Sequence, residues 1–426
     1  MISTRIYNIL YLVEVIKIKI NETFKIQILP TEEQSIKLRE IQNVYLEVCN
    51  YISKWIFENE FELKQRTIHD NLYYELRSSF GLSAQITQSA IRSVIGKYKT
   101  VEKQLLSNPY KYRDNELNKM CYTKRTIDWL QKPIEFNKQT VILLRNRDYS
   151  VKADNHYSVS VMNGRETMPY LLTDNPHVNK FNDGSWVLGG ANLIEQNNKW
   201  YLAISASKEV PDFDKETVQH VVGIDRGLRQ LVTTYDEKGK TVFYNGQDIL
   251  KKRRKYKKLR QQLQSKGSKS AKRRLKAIGQ RENRWMNDVN HQISKALVEQ
   301  YGPNTLFVIE DLTNVRFATE KHSKDNRYES VSWAFYDLEQ KFAYKAAEKG
   351  SLVLKVPARY TSQRCPKCGT IDKENRKQTE HLFCCKNCFY RSNDDRVAAM
   401  NIQYLGTDYI SGVEKPHFEK INPAID

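Results

Sequence analysis

Glycine and proline are scarce in this chain, 17 and 11 residues out of 426, and no tandem repeat is visible. That scarcity excludes collagen-like and low-complexity architectures, while 40% hydrophobic residues are enough to build packed cores. No run reaches the roughly eighteen uncharged apolar residues that a membrane helix needs. The start, Met1 to Ile20, is apolar only in patches, with Glu14, Lys17 and Lys19 interrupting it and no small-residue cleavage site after it, so no secretory signal is expected there. Cysteine is too uneven for a disulfide framework. Cys49 and Cys121 stand alone and the other five of the 7 crowd into one short segment, which suits metal ligation in a reducing cytoplasm. Acid is also short: 69 Lys and Arg face 50 Asp and Glu, giving a net charge of +19 and a pI near 9.4. With 25 Tyr and 15 Phe beside it, that excess fits a polyanionic partner.

At 426 residues the chain has room for roughly two to four domains. Thr23 to Leu29 alternates like a strand, and Pro30-Thr31-Glu-Glu-Gln34 then opens a helix. From Glu32 to about Leu105 apolar positions such as Ile36, Leu38, Ile41, Tyr45, Val48 and Ile52 recur at helical spacing, with a break at Gly81-Leu-Ser83. Ser83 caps a further helix whose polar face carries Gln85, Gln88 and Arg92. From about Ile134 to Ser207 short β-rich runs alternate with turns at Asn163-Gly164 and Asp183-Gly184, which predicts a β-barrel-like subdomain that also takes in the Thr23–Leu29 strand. After a linker at Pro211 to Glu216, apolar strands and long helices alternate as in an α/β domain.

Chemistry concentrates in that last region. Cys365-Pro-Lys-Cys368 and Cys385-Lys-Asn-Cys388 each place two thiolates on a tight turn, and together they close a tetrahedral zinc shell at about 2.3 Å. Cys384 adjoins this set, but its longer spacing to Cys388 fits the turn less well. A module this small has almost no core, so the metal supplies most of its folding free energy. Asp225 ends the run Val221-Val-Gly-Ile224, and Glu310 ends Leu306-Phe-Val-Ile309. A third acid, Asp394 or Asp395, stands where it would cap the helix that begins near Val397. Any one such acid is ordinarily a cap or a surface ion. Three that converge can hold two divalent cations against a phosphodiester, and oxygen-only ligands select Mg²⁺ or Mn²⁺ over zinc.

Gly223-Ile-Asp225-Arg-Gly-Leu, Ile309-Glu310-Asp-Leu-Thr-Asn314 and Asp395-x-x-Ala-Ala-x-Asn401-Ile resemble the three acidic motifs of a RuvC nuclease domain. Tyr360-Thr-Ser-Gln-Arg-Cys365-Pro-Lys-Cys368-Gly and Phe383-x-Cys385-x-x-Cys388 resemble the zinc module of the TnpB proteins of insertion sequences, which the miniature type V CRISPR effectors share. Trp333 to Gly350 is similar to the family's helix after the second motif. The resemblance implies catalytic, magnesium-binding roles for Asp225, Glu310 and Asp395, zinc at Cys365, Cys368, Cys385 and Cys388, and a protein that carries a guide RNA and cuts target DNA. Three positions depart from the pattern: Arg226 where an apolar residue is commoner, Val397 for an asparagine, and Phe389 for a glycine after the last cysteine.

The implied architecture is multidomain α+β, a RuvC (RNase H-like) α/β nuclease domain with an inserted four-cysteine zinc module, preceded by a helical recognition lobe and a β-barrel-like wedge. Its expected boundaries are a leader at 1–22, a wedge strand at 23–31, the helical lobe at 32–130, the wedge at 131–215, the nuclease at 216–358 and 394–426, and the zinc module at 359–393. The basic run Lys251 to Arg284 reads as two helices joined at Ser265-Lys-Gly-Ser268 and walling a guide–target channel. Lys251, Arg253, Arg254, Arg260, Arg273 and Arg274 are its candidate phosphate contacts, with Arg364 on the zinc module and Gln85, Gln88 and Arg92 for the DNA motif beside the target. The expected setting is the bacterial cytoplasm and its nucleoid, with no membrane, as a monomer or a homodimer. The rival functions are a guide-directed DNA-binding regulator without useful cleavage and a guide-free structure-selective nuclease.

Overall fold

The computed structural model describes residues 17–421 apart from 115, 117, 139, 173–183, 228, 280, 313–334, 378 and 414–417. The first sixteen residues of the expected leader, Asp183 of the second turn and the motif residues 313, 314, 333 and 334 therefore lie outside the described residues. The chain forms two compact units, one of residues 22–208 and one of residues 209–426 together with those up to Asn21.

Strand β1 runs from Lys17 to Ile28, so it starts inside the segment assigned to a leader, and its residues from 22 on belong to the first unit. Alternation then yields to helical spacing at Thr31, whose hydroxyl accepts from the Gln34 amide at 3.2 Å while Gln34 Oε1 accepts from the Thr31 amide at 3.0 Å. This capping box starts α1 (Glu32–Glu58), followed by α2 (Gln65–Phe80) and α3 (Ala84–Ser107), the last capped by Ser83 as expected. Leu38, Ile41, Tyr45, Val48 and Ile52 face inward, but Ile36 is 59% exposed because two residues before Leu38 it points to the opposite side of α1. Helix ends at Ser107, and the part of the lobe beyond it is a separate hairpin of β2 (Tyr110–Asp114) and β3 (Lys119–Thr123).

β4 (Val141–Leu143), β8 (Val187–Gln196), β9 (Lys199–Pro211) and β1 form a sheet of order β1-β9-β8-β4, in which the β4–β8 and β8–β9 pairs are antiparallel. β5 (Tyr149–Lys152), β6 (His156–Val161) and β7 (Gly164–Pro169) form a second sheet, linked to β1 by the Ile28–Tyr170 bridge. Among the described residues the strands do not close into a barrel.

The second unit is built on six strands in the order β12-β11-β10-β13-β14-β18: β10 (His220–Asp225), β11 (Gln230–Tyr235), β12 (Thr241–Asn245), β13 (Thr305–Asp311), β14 (Leu352–Pro357) and β18 (Glu419–Lys420). β10, β13 and β14 are parallel and apolar on both faces, as central strands covered by helices must be. Alternation splits their side chains. Val222, Ile224, Phe307, Ile309 and Val353 meet Met286, Ile293, Leu297, Leu338 and Phe342 of helices α6 (Arg281–Tyr301) and α7 (Phe335–Ala347). Val221, Leu306, Val308 and Leu354 meet Ile402 of α8 (Asp394–Ile410) on the opposite face. Phe307 is wholly buried, and its truncation to alanine would cost about 3–5 kcal/mol. The basic run forms α4 (Gln247–Lys266) and α5 (Lys269–Ile278), a pair closed over Leu263, Ala271 and Ile278 and broken at the expected serine-glycine turn.

Candidate functional site

β10 and β13 align Ile224 with Ile309, so Asp225 and Glu310, one residue further on, stand side by side at the carboxyl ends of two parallel strands. Both fall on the α8 face of the sheet by the alternation just described. Gly223 makes that face accessible: a β-carbon there would collide with the Ala399 carbonyl and the Gln403 amide of α8, so only glycine lets the helix lie this close. The close approach carries the start of α8, and with it Asp395, toward Asp225.

The cap of α8 is Asn393, whose side chain accepts from the Arg396 amide at 3.0 Å, rather than either aspartate. That leaves Asp394 and Asp395 in the first turn with different fates. Asp394 is fully buried, held by Arg376 Nε at 2.9 Å and with His381 Nδ1 3.5 Å away. Asp395 keeps 15% of its side chain exposed, with Arg376 Nη2 at 3.9 Å.

Burial, then the charges of Glu310 and Asp395, push Asp225 well above the usual carboxylate range. Glu310 is raised by burial as well, opposed by the Thr361 hydroxyl that donates to it and by Arg226 and Arg376. Asp395 is raised by burial and by Asp394, and Arg376 again opposes. Asp225 thus responds to both of the other acids. Among the described residues, the sets of three or more ligand groups whose donor atoms lie within 4.8 Å of one another are the four cysteines and His381, Asp394 and Asp395. Asp225, Glu310 and Asp395 make a more open arrangement than either. An open ring of oxygens raised chiefly by burial, and at Asp225 also by its acidic neighbours, offers the hard donors that divalent cations fit.

Several contacts around this ring involve residues whose roles the sequence did not disclose. Thr361, just ahead of the first cysteine pair, holds Glu310, and Asn401 of α8 donates to the carbonyls of Thr361 at 2.7 Å and Arg364 at 2.8 Å. Arg226, the unexpected cation after Asp225, is buried. It donates to the Glu310 carbonyl at 2.5 Å and pairs at 3.4 Å with Glu339, which Lys355 joins at 2.6 Å. The only advance signal for Thr361 and Asn401 was their place within quoted motifs. Glu339 likewise lies within the quoted Trp333–Gly350 segment, and Arg376 read only as one of the zinc module's basic residues, while nothing marked His381; their partners are not adjacent in sequence.

The four cysteines converge. Cys365 and Cys388 sulfurs lie 3.5 Å apart, as do those of Cys368 and Cys385, close to the edge of roughly 3.8 Å that a zinc tetrahedron with 2.3 Å bonds requires. Cys384 lies in β16 (Leu382–Cys384), outside the set, as its spacing predicts. β15 (Arg376–Lys377) and β17 (Arg391–Asn393) flank β16. The two turns repeat one geometry: the amides of Gly369 and Phe389 bond to the carbonyls of Cys365 and Cys385, each at 3.0 Å. Both take positive φ, +74° and +57°, so Phe389 occupies a backbone conformation that its sister position gives to glycine. The Cys368 thiol is lowered to about 5, chiefly by its contact with Thr370.

The basic run is less uniform than its composition suggests. Lys251, Arg254, Arg273 and Arg274 are exposed, and Arg364 is exposed on the zinc module. Arg253 is not. Its side chain is 2% exposed and pairs with Glu282 at 3.5 Å, and Arg260 shares the same carboxylate. A buried acid on α6 therefore draws these two inward, and Arg253 is a helix tie rather than a phosphate contact. In the first unit, Gln85 accepts from Arg147 at 3.1 Å and Gln88 from Gln65 at 3.4 Å, while Arg92 is exposed.

Residues 204–317 match the IS605 OrfB family, described as a probable transposase, and residues 335–402 match the Cas12f1-like TNB domain. A TnpB-like protein of Methanocaldococcus jannaschii is 31% identical over 192 residues, covering 43% of this chain and 68% of that protein. The chain belongs to the TnpB family. A CRISPR-associated endodeoxyribonuclease Cas12f1 of Sulfoacidibacillus thermotolerans is also 31% identical, over 248 residues, covering 53% of this chain and 56% of that protein. The chain thus spans about half the length of that relative. A cryo-EM structure of a Cas12f1–sgRNA–target DNA complex superposes with a TM-score of 0.56 at 15% identity, covering 88% of this chain and 83% of that one, so this TnpB-family chain shares the Cas12f fold.

Proposed function

We propose that this protein is an RNA-guided DNA endonuclease, of the transposon-associated TnpB type or a miniature type V effector, that hydrolyses target-DNA phosphodiesters at Asp225, Glu310 and Asp395. The observation that supports it is the meeting of strand-end acids from β10 and β13 with the first turn of α8, beside a four-thiol module. A protein using these groups only for folding would gain by replacing them, since buried like charges oppose the fold.

Asp225, Glu310 and Asp395 would hold Mg²⁺ or Mn²⁺, and the four cysteines zinc. When bound, two divalent cations supply charge neutralisation at the phosphate and a more acidic water. The protein's own part is positional. Thr361 and Arg226 fix Glu310 at its carboxylate and its carbonyl. The Asn393 cap and the Arg376 bridge hold the turn that presents Asp395. Residues 216–358 and 394–426 would form the RuvC nuclease, 359–393 the zinc module, 32–130 the recognition lobe, and 23–31 with 131–215 a wedge. Lys251, Arg254, Arg273, Arg274 and Arg364 would contact phosphates of guide and target. The setting would be a bacterial cytoplasm, on the nucleoid.

The test is cleavage of matched DNA by the protein purified with its RNA and Mg²⁺. Asp225→Ala should bind and not cut. Unimpaired cutting by that variant would refute the assignment, and absence of nicking by the parent protein would favour a DNA-binding regulator.

A further inference from the structure

The hairpin of β2 and β3 pairs with no other strand among the described residues. Isolated two-stranded hairpins are marginal in water, and this one exposes rings on both faces. Tyr110 is 50% exposed, Tyr112 40% and Tyr122 61%, with Met120 and Trp129 close behind in the chain and exposed as well. The register places Tyr110 and Tyr112 on one face and Lys111, Arg113 and Tyr122 on the other. On the first face Tyr110 and Tyr112 are near parallel, 17° between planes with centroids 6.1 Å apart, and Trp129 leans on Tyr110 at 5.6 Å. On the second, Lys111 stands 5.7 Å over the Tyr122 ring. Residues 108–126 carry five Lys and Arg against two Asp and Glu.

Tyr, Trp, Met and Arg are also enriched at protein-docking faces, but lysine is depleted there, and here Lys111 stands over Tyr122 among the exposed rings. They match what unpaired nucleotides need, ring faces for bases and cations for phosphates. We propose that the β2–β3 hairpin is a stacking platform for unpaired nucleotides of RNA. The choice of RNA rests on the RNA-guided reading above, because a guide offers single-stranded loops while target DNA arrives paired.

The experiment is fluorescence anisotropy with the full-length protein, freed of bound nucleic acid, on a short unstructured labelled RNA, the same sequence as single-stranded DNA, and duplex DNA. Tyr110→Ala, Tyr112→Ala and Tyr122→Ala combined should weaken RNA binding by about a hundredfold, given stacking losses of at least about fivefold per ring. The three Tyr→Phe changes should leave it within about twofold, since phenylalanine keeps the stacking face. Duplex binding should be unchanged. Equal affinity of parent and alanine variant for RNA overturns the proposal, and so does a loss confined to single-stranded DNA or shared equally by the duplex. Ultraviolet cross-linking of the RNA to the parent protein, mapped by mass spectrometry, should mark residues 110–122, and marks elsewhere only would count against it. The readout is binding, so a protein that never cuts DNA can still pass, which separates this proposal from the nuclease assignment.

Discussion

Arg376 is the cation that the three acids share, and Arg376→Gln removes its charge while keeping much of its bulk. Its guanidinium stands 3.9 Å from Asp395, and its charge favours the ionised forms of Asp225, Glu310 and Asp395. Unit charges about 4 Å apart interact by about 1 kcal/mol in water and about 4 kcal/mol at an effective dielectric of 20. The side chain is 28% exposed, so solvent screens it and the low end applies, about 1–1.5 kcal/mol at Asp395. Since 1.36 kcal/mol corresponds to one pKa unit, the carboxyl should rise by about one unit. The sign follows from which form the cation favours. Losing it makes ionisation harder, divalent cations need the ionised form, and so activity is lost first on the acid side and returns as pH is raised. Initial cleavage rates of the RNA-loaded protein at fixed Mn²⁺ should show the acid limb displaced upward by about one pH unit. A uniformly slower enzyme with an unchanged pH profile would refute the reasoning and leave Arg376 as a strut to Asp394 alone.

A carboxyl whose pKa is raised on folding stabilises the fold below its unfolded pKa and withdraws that contribution as pH rises through the folded value. Without divalent cations the protein should therefore lose stability from the ordinary carboxylate range upward, and Asp225→Asn should melt higher than the parent in chelator at neutral pH, by roughly 2–4 °C per kcal/mol relieved; an equal or lower midpoint would contradict the account. Arg253→Met should leave the salt dependence of nucleic-acid binding untouched, whereas Arg273→Ala should reduce the slope of log K against log salt by about 0.9 if it meets a duplex phosphate. Titrations at several salt concentrations decide between them. Phe389→Gly removes a left-handed φ that costs a side-chain-bearing residue about 1–2 kcal/mol. Zinc release to a chromogenic chelator should be slower in that variant, and faster release would mean that the ring contributes packing which the exposed geometry does not show.

The sequence by itself was enough to determine the local elements that carry the site. A short apolar run ending in an acid is consistent with a buried strand, and it was the ordered trio of such acids, not any one of them, that pointed to a site, while paired C-x-x-C turns constrain a metal through spacing. The capping residues Thr31 and Ser83 were legible for the same reason, since a side chain that bonds its own backbone three residues on leaves a local signature. What tertiary structure alone decided depends on partners far apart in the chain. Asp394 and Asp395 are neighbours of identical chemistry; motif spacing singled out Asp395, but the burial of Asp394 against Arg376 came only with the fold. Arg253 looked like any residue of a basic run until Glu282, 29 positions on, drew it inside. The β2–β3 hairpin was absorbed into a helical lobe because its polar and aromatic residues follow no buried face. Short-range patterns record what a segment does with itself and with water, while charge pairing and packing across the fold leave no trace until the chain has closed on them.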